Sequence, residues 1–280
     1  PSKMWAGTVQ DYCRLYETAA KRIKQEFPAL KIGGPSATFL DEQASPRVEK
    51  DFLPVFLEYC REREVPLDFF SWHRYAGDLD EIISEPAGVR ALLDEYGFPD
   101  AELHLTEWHY WFKGFTKEAY CDMIDGIPGI NAAVFAPALL TAWQDSPLTM
   151  GYHYTIGELS NAWGAWSYGE PLKLFYTLKT FARIAHCKER VKTETGNRNC
   201  QILAGIGESG KRSVLVSDFK SGAETLELQL RGAENARFHL VRIDFDHDWA
   251  ESECSAGADG TLILPGTDPG KSQVFLLEEQ

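Results

Sequence analysis

The chain has 280 residues, 44% of them hydrophobic, and a formal charge of −14. That length builds one large domain or two smaller ones around a sizeable core. The acidic balance repels phosphate backbones and anionic lipid, which excludes nucleic-acid and membrane-surface partners, and no apolar run approaches the roughly 18 residues of a membrane span.

Residues 8–27 carry Tyr12, Leu15, Tyr16, Ala19, Ala20, Ile23 and Phe27 at steps of three and four, which predicts an amphipathic helix. Thr8 and Asp11 have the spacing of a capping box, and Pro28 stops the helix. "LKIGGPS" reads as a strand and turn. A second helix follows, with Phe52, Leu53, Phe56, Leu57 and Cys60 on one face. "LDFFSWHRY" (67–75) is the next strand, and 79–96 is helical with an interruption expected near Pro86 and Gly88. "ELHLTEW" (102–108) is a third strand, and a helical region over about 116–143 breaks at Pro128-Gly129. "TMGYHYTI" (149–156) is a fourth strand, and a last helix spans 171–187.

Strands alternating with helices imply βα units and a parallel sheet. About four such units are present, where a closed barrel of this type needs eight. After about residue 190, short β runs such as "CQILAGI", "RSVLVSD" and "QVFLLE" are separated by turn-like segments, which predicts an antiparallel β-sandwich. The expected fold is therefore α/β: a partial (half) TIM-type (β/α) barrel over 1–188, followed by a β-sandwich over 189–280.

The strand ends carry the chemistry. Alternate side chains share a face. In the second strand Phe69, Ser71, His73 and Tyr75 fall together; in the third, Leu103, Leu105, Glu107 and His109 do. Each set runs from apolar to polar toward the C-terminal end, as the inner face of a barrel requires. Ser71, His73, Tyr75 and Glu107 are thus expected in one polar pocket. The alternative at Glu107 is a structural carboxylate paired with Arg74 or His73. Trp72, Trp108, Trp111, Trp143, Trp163 and Trp166 are core residues by default, with some placed past strand ends where a sugar face could stack. No metal is expected: His104 and His109 point to opposite faces of a strand. "DFDHD" (244–248) opens like a calcium loop, but Trp249 stands where the turn glycine belongs and Ser255 where the glutamate belongs. No phosphate-cradling loop is present, and no cofactor is expected. The six cysteines, at 13, 60, 121, 187, 200 and 254, form no CxxC pair and read as reduced. With no visible signal peptide, they favour the cytoplasm.

"WAGTVQDYCRLYETAAKRIKQEFPALKIGGP", "LDFFSWHRY" and "ELHLTEW" resemble glycoside hydrolase family 39, which includes β-xylosidases and α-iduronidases. The resemblance covers about residues 5–185. It implies a retaining barrel enzyme in which Glu107 is the nucleophile. His73 and Tyr75 line the pocket; Trp108, His109, Tyr154 and Trp163 join them as expected substrate-binding residues. The family's proton donor is the glutamate of an Asn-Glu-Pro motif that lies just before the W-x-G-T helix. That helix entry begins here at Trp5, and no Asn-Glu-Pro precedes it. The expectation is a xylosidase-like fragment with the nucleophile but not the acid/base half, inactive or weakly active alone. It would take a carbohydrate substrate and would self-associate or pair with the missing N-terminal half. The alternatives are a non-catalytic carbohydrate-binding module and a self-associating half-barrel scaffold.

Overall fold

The structure, a computed structural model, describes residues 5–38, 51–111, 116–118, 121, 126–157 and 163–280. The chain divides into two units, and each threads through several segments of the sequence.

The first unit comprises Pro1–Tyr75, Ser84–Trp108 and Asp145–His153. Its frame is a four-stranded sheet in the order β1 (Gly33–Thr38), β2 (Phe69–Ala76), β3 (Glu102–Tyr110) and β4 (Met150–His153). The β1–β2 and β3–β4 pairs are parallel. Helix α1 (Val9–Glu26) opens on the capping box that the sequence predicts: Thr8 Oγ1 accepts from Asp11 N at 3.2 Å, and Asp11 Oδ2 accepts from Thr8 N at 2.9 Å. Tyr16 of α1 meets Phe56 of α2 (Phe52–Glu62) edge-on at 5.1 Å. The buried stripe of α1 is Val9, Cys13 and Ala20, while Leu15, Ile23 and Phe27 are 54%, 37% and 59% exposed. Periodicity identifies an amphipathic helix, but a stripe is buried only where a neighbour covers it.

A side chain at Gly33 would stand 2.1 Å from the Phe69 carbonyl oxygen, so the close approach of β1 to β2 requires glycine there. The helical stretch after β2 breaks at Ser84, earlier than expected. Helix α3 (Leu79–Ile83) ends before it, and α4 (Glu85–Glu95) starts with Pro86 in its first turn, where the missing N–H costs nothing.

The second unit comprises Ala76–Ile83, His109–Gln144 and Tyr154–Gln280. Much of the helix expected from residue 116 lies outside the described residues. Its later part is α5 (Ile130–Ala142), which is buried nearly all round. A short antiparallel pair, β5 (Trp166–Ser167) with β6 (Glu170–Pro171), leads into α6 (Lys173–Ala185). Helix α6 packs on α5, and the Thr177 hydroxyl donates to the Ala133 carbonyl at 2.7 Å. Beyond them, β7 (Glu189–Val191), β8 (Cys200–Ile206), β9 (Arg212–Phe219), β11 (Arg237–Ile243), β12 (Ala250–Ser255) and β14 (Ser272–Glu279) form an antiparallel sheet in the order β12-β11-β14-β9-β8-β7. A two-stranded sheet, β10 (Thr225–Gln229) with β13 (Thr261–Pro265), completes the antiparallel part.

Phe238, Phe275, Leu226, Leu228, Leu262 and Leu264 fill the core on that side. The other face of the large sheet is covered by α5 and α6. This double cover explains why β9 and β14 are buried at consecutive positions and lack the in-out alternation of a half-buried strand. Among the described residues no helix is long and apolar enough to cross a membrane.

Candidate active site

β2 keeps a regular alternation to its C-terminal end. Trp72 and Arg74 point to one side, where Trp72 Nε1 donates to Glu85 Oε2 at 3.0 Å and Arg74 Nε lies 3.6 Å from Glu85 Oε1. His73 and Tyr75 point to the other side. There the Tyr75 hydroxyl donates to Glu107 Oε2 at 2.7 Å, and His73 Nδ1 approaches the same oxygen at 3.3 Å. Three of the four residues expected to meet on the inner face, His73, Tyr75 and Glu107, therefore do meet. Arg74 is committed to Glu85 on the opposite face, so it is not the partner of Glu107.

β3 departs from strict alternation. Leu105 pairs with Gly151 and Trp108 with His153, so three steps along β3 match two along β4, which marks a bulge. The consequence is visible on both sides of it. Before the bulge, His104 stacks on Phe69 with ring centroids 4.4 Å apart, while Leu103 and Leu105 are 1% and 0% exposed. After it, Glu107 reaches Tyr75. Thus His104, not the leucines, shares a face with Phe69, and the bulge brings Glu107 back to that face. The neighbouring Thr106 ties β3 to β2 by donating to the Trp72 carbonyl at 3.1 Å.

Burial lowers the pKa of His73, and the nearby Glu107 carboxylate opposes that shift in part. Burial thus favours the neutral imidazole, and its 3.3 Å approach to Glu107 is a polar contact. Both contacts fall on Oε2. Among the described residues Oε1 has no partner, and the Glu107 side chain is 33% exposed. A carboxylate oriented through one oxygen and open at the other suits nucleophilic attack. Ser71, expected in the same pocket, is 1% exposed and bonds instead to Ser36 at 3.0 Å, a residue that strand alternation does not single out.

Trp108 is 1% exposed and meets His153 edge-on at 4.6 Å. In the second unit, His109 is also 1% exposed, its Nδ1 lies 3.0 Å from the Tyr110 carbonyl, and burial pushes its pKa down to about 4. Its ring meets Trp163 edge-on at 5.2 Å. Trp163 in turn meets Tyr154 edge-on at 5.9 Å and stacks on Trp111 at 5.9 Å, so three of the expected residues gather with Trp111 in one aromatic cluster. In the sequence Trp111 stands out only as one of several tryptophans near strand ends. The DFDHD segment is a closed turn: Asp244 Oδ1 accepts from the backbone of Asp246 and of His247, both at 2.9 Å. Among the described residues no cluster could hold a metal ion.

Residues 2–107 match the family model for glycosyl hydrolases family 39. A β-xylosidase from Geobacillus stearothermophilus is 29% identical over 118 residues, which is 36% of this chain and 22% of that protein. A β-xylosidase from Caldicellulosiruptor saccharolyticus is 39% identical over 75 residues, 27% of this chain and 13% of that one. Among solved structures, a glucosidase from Croceicoccus marinus superposes on 98% of this chain and 65% of its own, with a TM-score of 0.69 and 22% identity. A family 39 enzyme from Xanthomonas axonopodis pv. citri covers 98% and 64%, with a TM-score of 0.68 and 17% identity. These two likenesses are of fold. The chain thus spans less than two thirds of the length of each of these proteins. The family match over residues 2–107 and the β-xylosidase relatives agree: this part of the chain is similar to glycoside hydrolase family 39, and the solved structures share its fold.

Proposed function

We propose that the chain is the nucleophile-bearing part of a retaining, β-xylosidase-like glycosidase, with a barrel portion over 1–188 and a sandwich over 189–280. The observation that carries this reading is Glu107, held through Oε2 by Tyr75 and His73 and open at Oε1. In the proposed reaction Oε1 attacks the anomeric carbon. A glycosyl ester forms, the glycosidic bond breaks, and its electron pair leaves with the aglycone oxygen. Water then cleaves the ester and regenerates the carboxylate. For Tyr154 and Trp163 the proposal keeps the sugar-binding role that the family resemblance implies; Trp108 and His109, expected to share that role, are each 1% exposed and are assigned as buried supports within their own units.

Retaining hydrolysis needs a second carboxyl about 5 Å away to protonate the leaving oxygen. Among the described residues the sheet of the first unit has four strands where a closed barrel of this type has eight, and the acid is assigned to the complementary barrel half that the family resemblance implies. The isolated chain should show negligible turnover of natural xylosides and at most trace activity on activated aryl xylosides, whose leaving groups need little protonation. Joining it to the acid-bearing barrel half of a family 39 relative should restore turnover. The isolated and completed chains, assayed side by side, test this. Efficient hydrolysis of a natural xyloside by the isolated chain overturns it. A completed chain that binds sugar without turnover points to a carbohydrate-binding role instead.

Removing the Tyr75 hydroxyl should matter more for rate than for binding. In the completed enzyme, Tyr75→Phe is expected to lower kcat by roughly 10- to 100-fold with little change in KM, because one charge-assisted hydrogen bond orients the nucleophile. A KM rise at constant kcat would show that the hydroxyl binds sugar and does not orient Glu107.

The sheet of the first unit supports a partner. β1 and β4 are its edges, Met150 and Tyr152 on β4 are each 48% exposed, and Leu15 and Phe27 of α1 remain uncovered. Edges and apolar surface of this kind recruit partners. We propose pairing with a complementary barrel half or, in its absence, self-association. Sedimentation at micromolar concentration should show a species heavier than the monomer; a clean monomer contradicts the proposal.

A further inference from the structure

The end of β1 holds a feature that the proposed reaction has not used. Pro35 pairs with Ser71 and Ala37 with Trp72, so Ser36 is an extra residue in the ladder. Its φ is +59°, a left-handed conformation uncommon for serine. Bulges redirect side chains, and strained residues collect where the surrounding structure holds them for a purpose. Here the redirection is specific. Ser36 N donates to Ser71 Oγ at 3.0 Å, and the two hydroxyl oxygens are also 3.0 Å apart. Ser71 lies on the face of β2 that carries His73 and Tyr75, so the Ser36 hydroxyl is drawn onto that same face.

Protonation follows from burial. Ser71 is 1% exposed, and its contacts are the backbone N–H and the hydroxyl of Ser36. It accepts from the N–H, so its own proton goes to Ser36 Oγ, since a buried donor needs an acceptor. That leaves the hydroxyl proton of Ser36, an exposed residue, to donate outward. β1 and β3 flank β2. With neighbouring strands about 4.8 Å apart, Ser36 and Glu107 stand on the order of 10 Å from each other across His73. That separation of the two backbones leaves room for one pyranose ring between the side chains.

We propose that Ser36, backed by Ser71, is a sugar-binding residue that donates to a ring hydroxyl of a pyranose whose anomeric carbon faces Glu107. The assignment rests on the reading of Glu107 as the reacting carboxylate. Its ligand class is a polyhydroxylated monosaccharide unit, held between a carboxylate on β3 and a hydroxyl on β1.

The test titrates the full 280-residue chain with xylose and with its 2-, 3- and 4-deoxy analogues, followed by saturation-transfer NMR. Unsubstituted protein, Ser36→Ala and Glu107→Gln are compared, with thermal melts to confirm folding. Ser36→Ala should weaken xylose binding by about 10-fold, as expected for one lost hydrogen bond in a polar site. Against one deoxy analogue, Ser36→Ala and the unsubstituted chain should bind equally, because the partner hydroxyl is already gone. If Glu107→Gln alters xylose affinity while Ser36→Ala does not, the Ser36 assignment falls and the site reading stands. If neither substitution alters it, or xylose does not bind at all, both fall. An equal loss by Ser36→Ala across all four sugars also overturns the assignment.

Discussion

In the completed enzyme, Glu107→Gln lowers kcat by on the order of 10⁴-fold or more, the scale of removing a catalytic nucleophile. The substitution preserves shape. The amide oxygen can still accept from Tyr75, so the hydrogen bond across β2 and β3 survives and the fold should melt within a few degrees of the unsubstituted protein. What the amide cannot do is form and release a glycosyl ester. A rate measured on an activated aryl xyloside, where protonation matters least, isolates that step. Unchanged turnover would identify Glu107 as a structural carboxylate that serves only to bind His73 and Tyr75.

Acid should destabilise the chain through His109. In the folded protein burial lowers its pKa to about 4, while the unfolded chain titrates at the ordinary histidine value of 6.5. Below that value the unfolded state binds a proton that the folded state refuses. The stability linked to the neutral imidazole is therefore fully present above about pH 6.5 and is lost progressively as pH falls toward 4. A tenfold change in proton affinity is worth about 1.4 kcal/mol, so the loss across this window amounts to about 3 kcal/mol. His73, lowered in the same direction, adds to it. Urea midpoints at pH 7 and pH 4 measure the difference. His109→Phe, which keeps the ring contact with Trp163 but cannot take a proton, should narrow that difference by about 3 kcal/mol. Parallel pH dependences for the two proteins would show that His109 protonates without cost.

The candidate site was legible in the sequence to the extent that strands alternate. His73 and Tyr75 share a face because β2 runs without interruption to its end. The same rule misplaced Leu103 and Leu105, since the bulge before Trp108 shifts the phase of β3 and no glycine or proline marks it. Glu107 reached the expected face through that bulge. Ser36 was not legible for a related reason: a bulge in β1 turns the serine of a turn-like "GGPS" into a residue facing β2. The stripe of α1 was legible as a stripe, yet Leu15 and Phe27 are exposed because burial depends on which neighbours a helix has. Contacts such as Trp163 with Trp111 and His109 join distant parts of the chain, and no local pattern specifies them. The antiparallel part was legible because turn signals at short intervals leave few other arrangements for strands of that length.

If Glu107 Oε1 forms a covalent bond to the sugar, that bond can be trapped. The most direct measurement uses an activated 2-deoxy-2-fluoro xyloside with the completed enzyme, followed by proteolysis and mass spectrometry. The good leaving group departs with its electron pair and needs no acid, and the fluorine slows hydrolysis of the ester, so the intermediate accumulates. One sugar per chain is expected, on the peptide containing "LHLTEW", with fragmentation placing it on Glu107. No adduct on the active enzyme, or an adduct on a different carboxylate, would contradict the role of Glu107 as nucleophile.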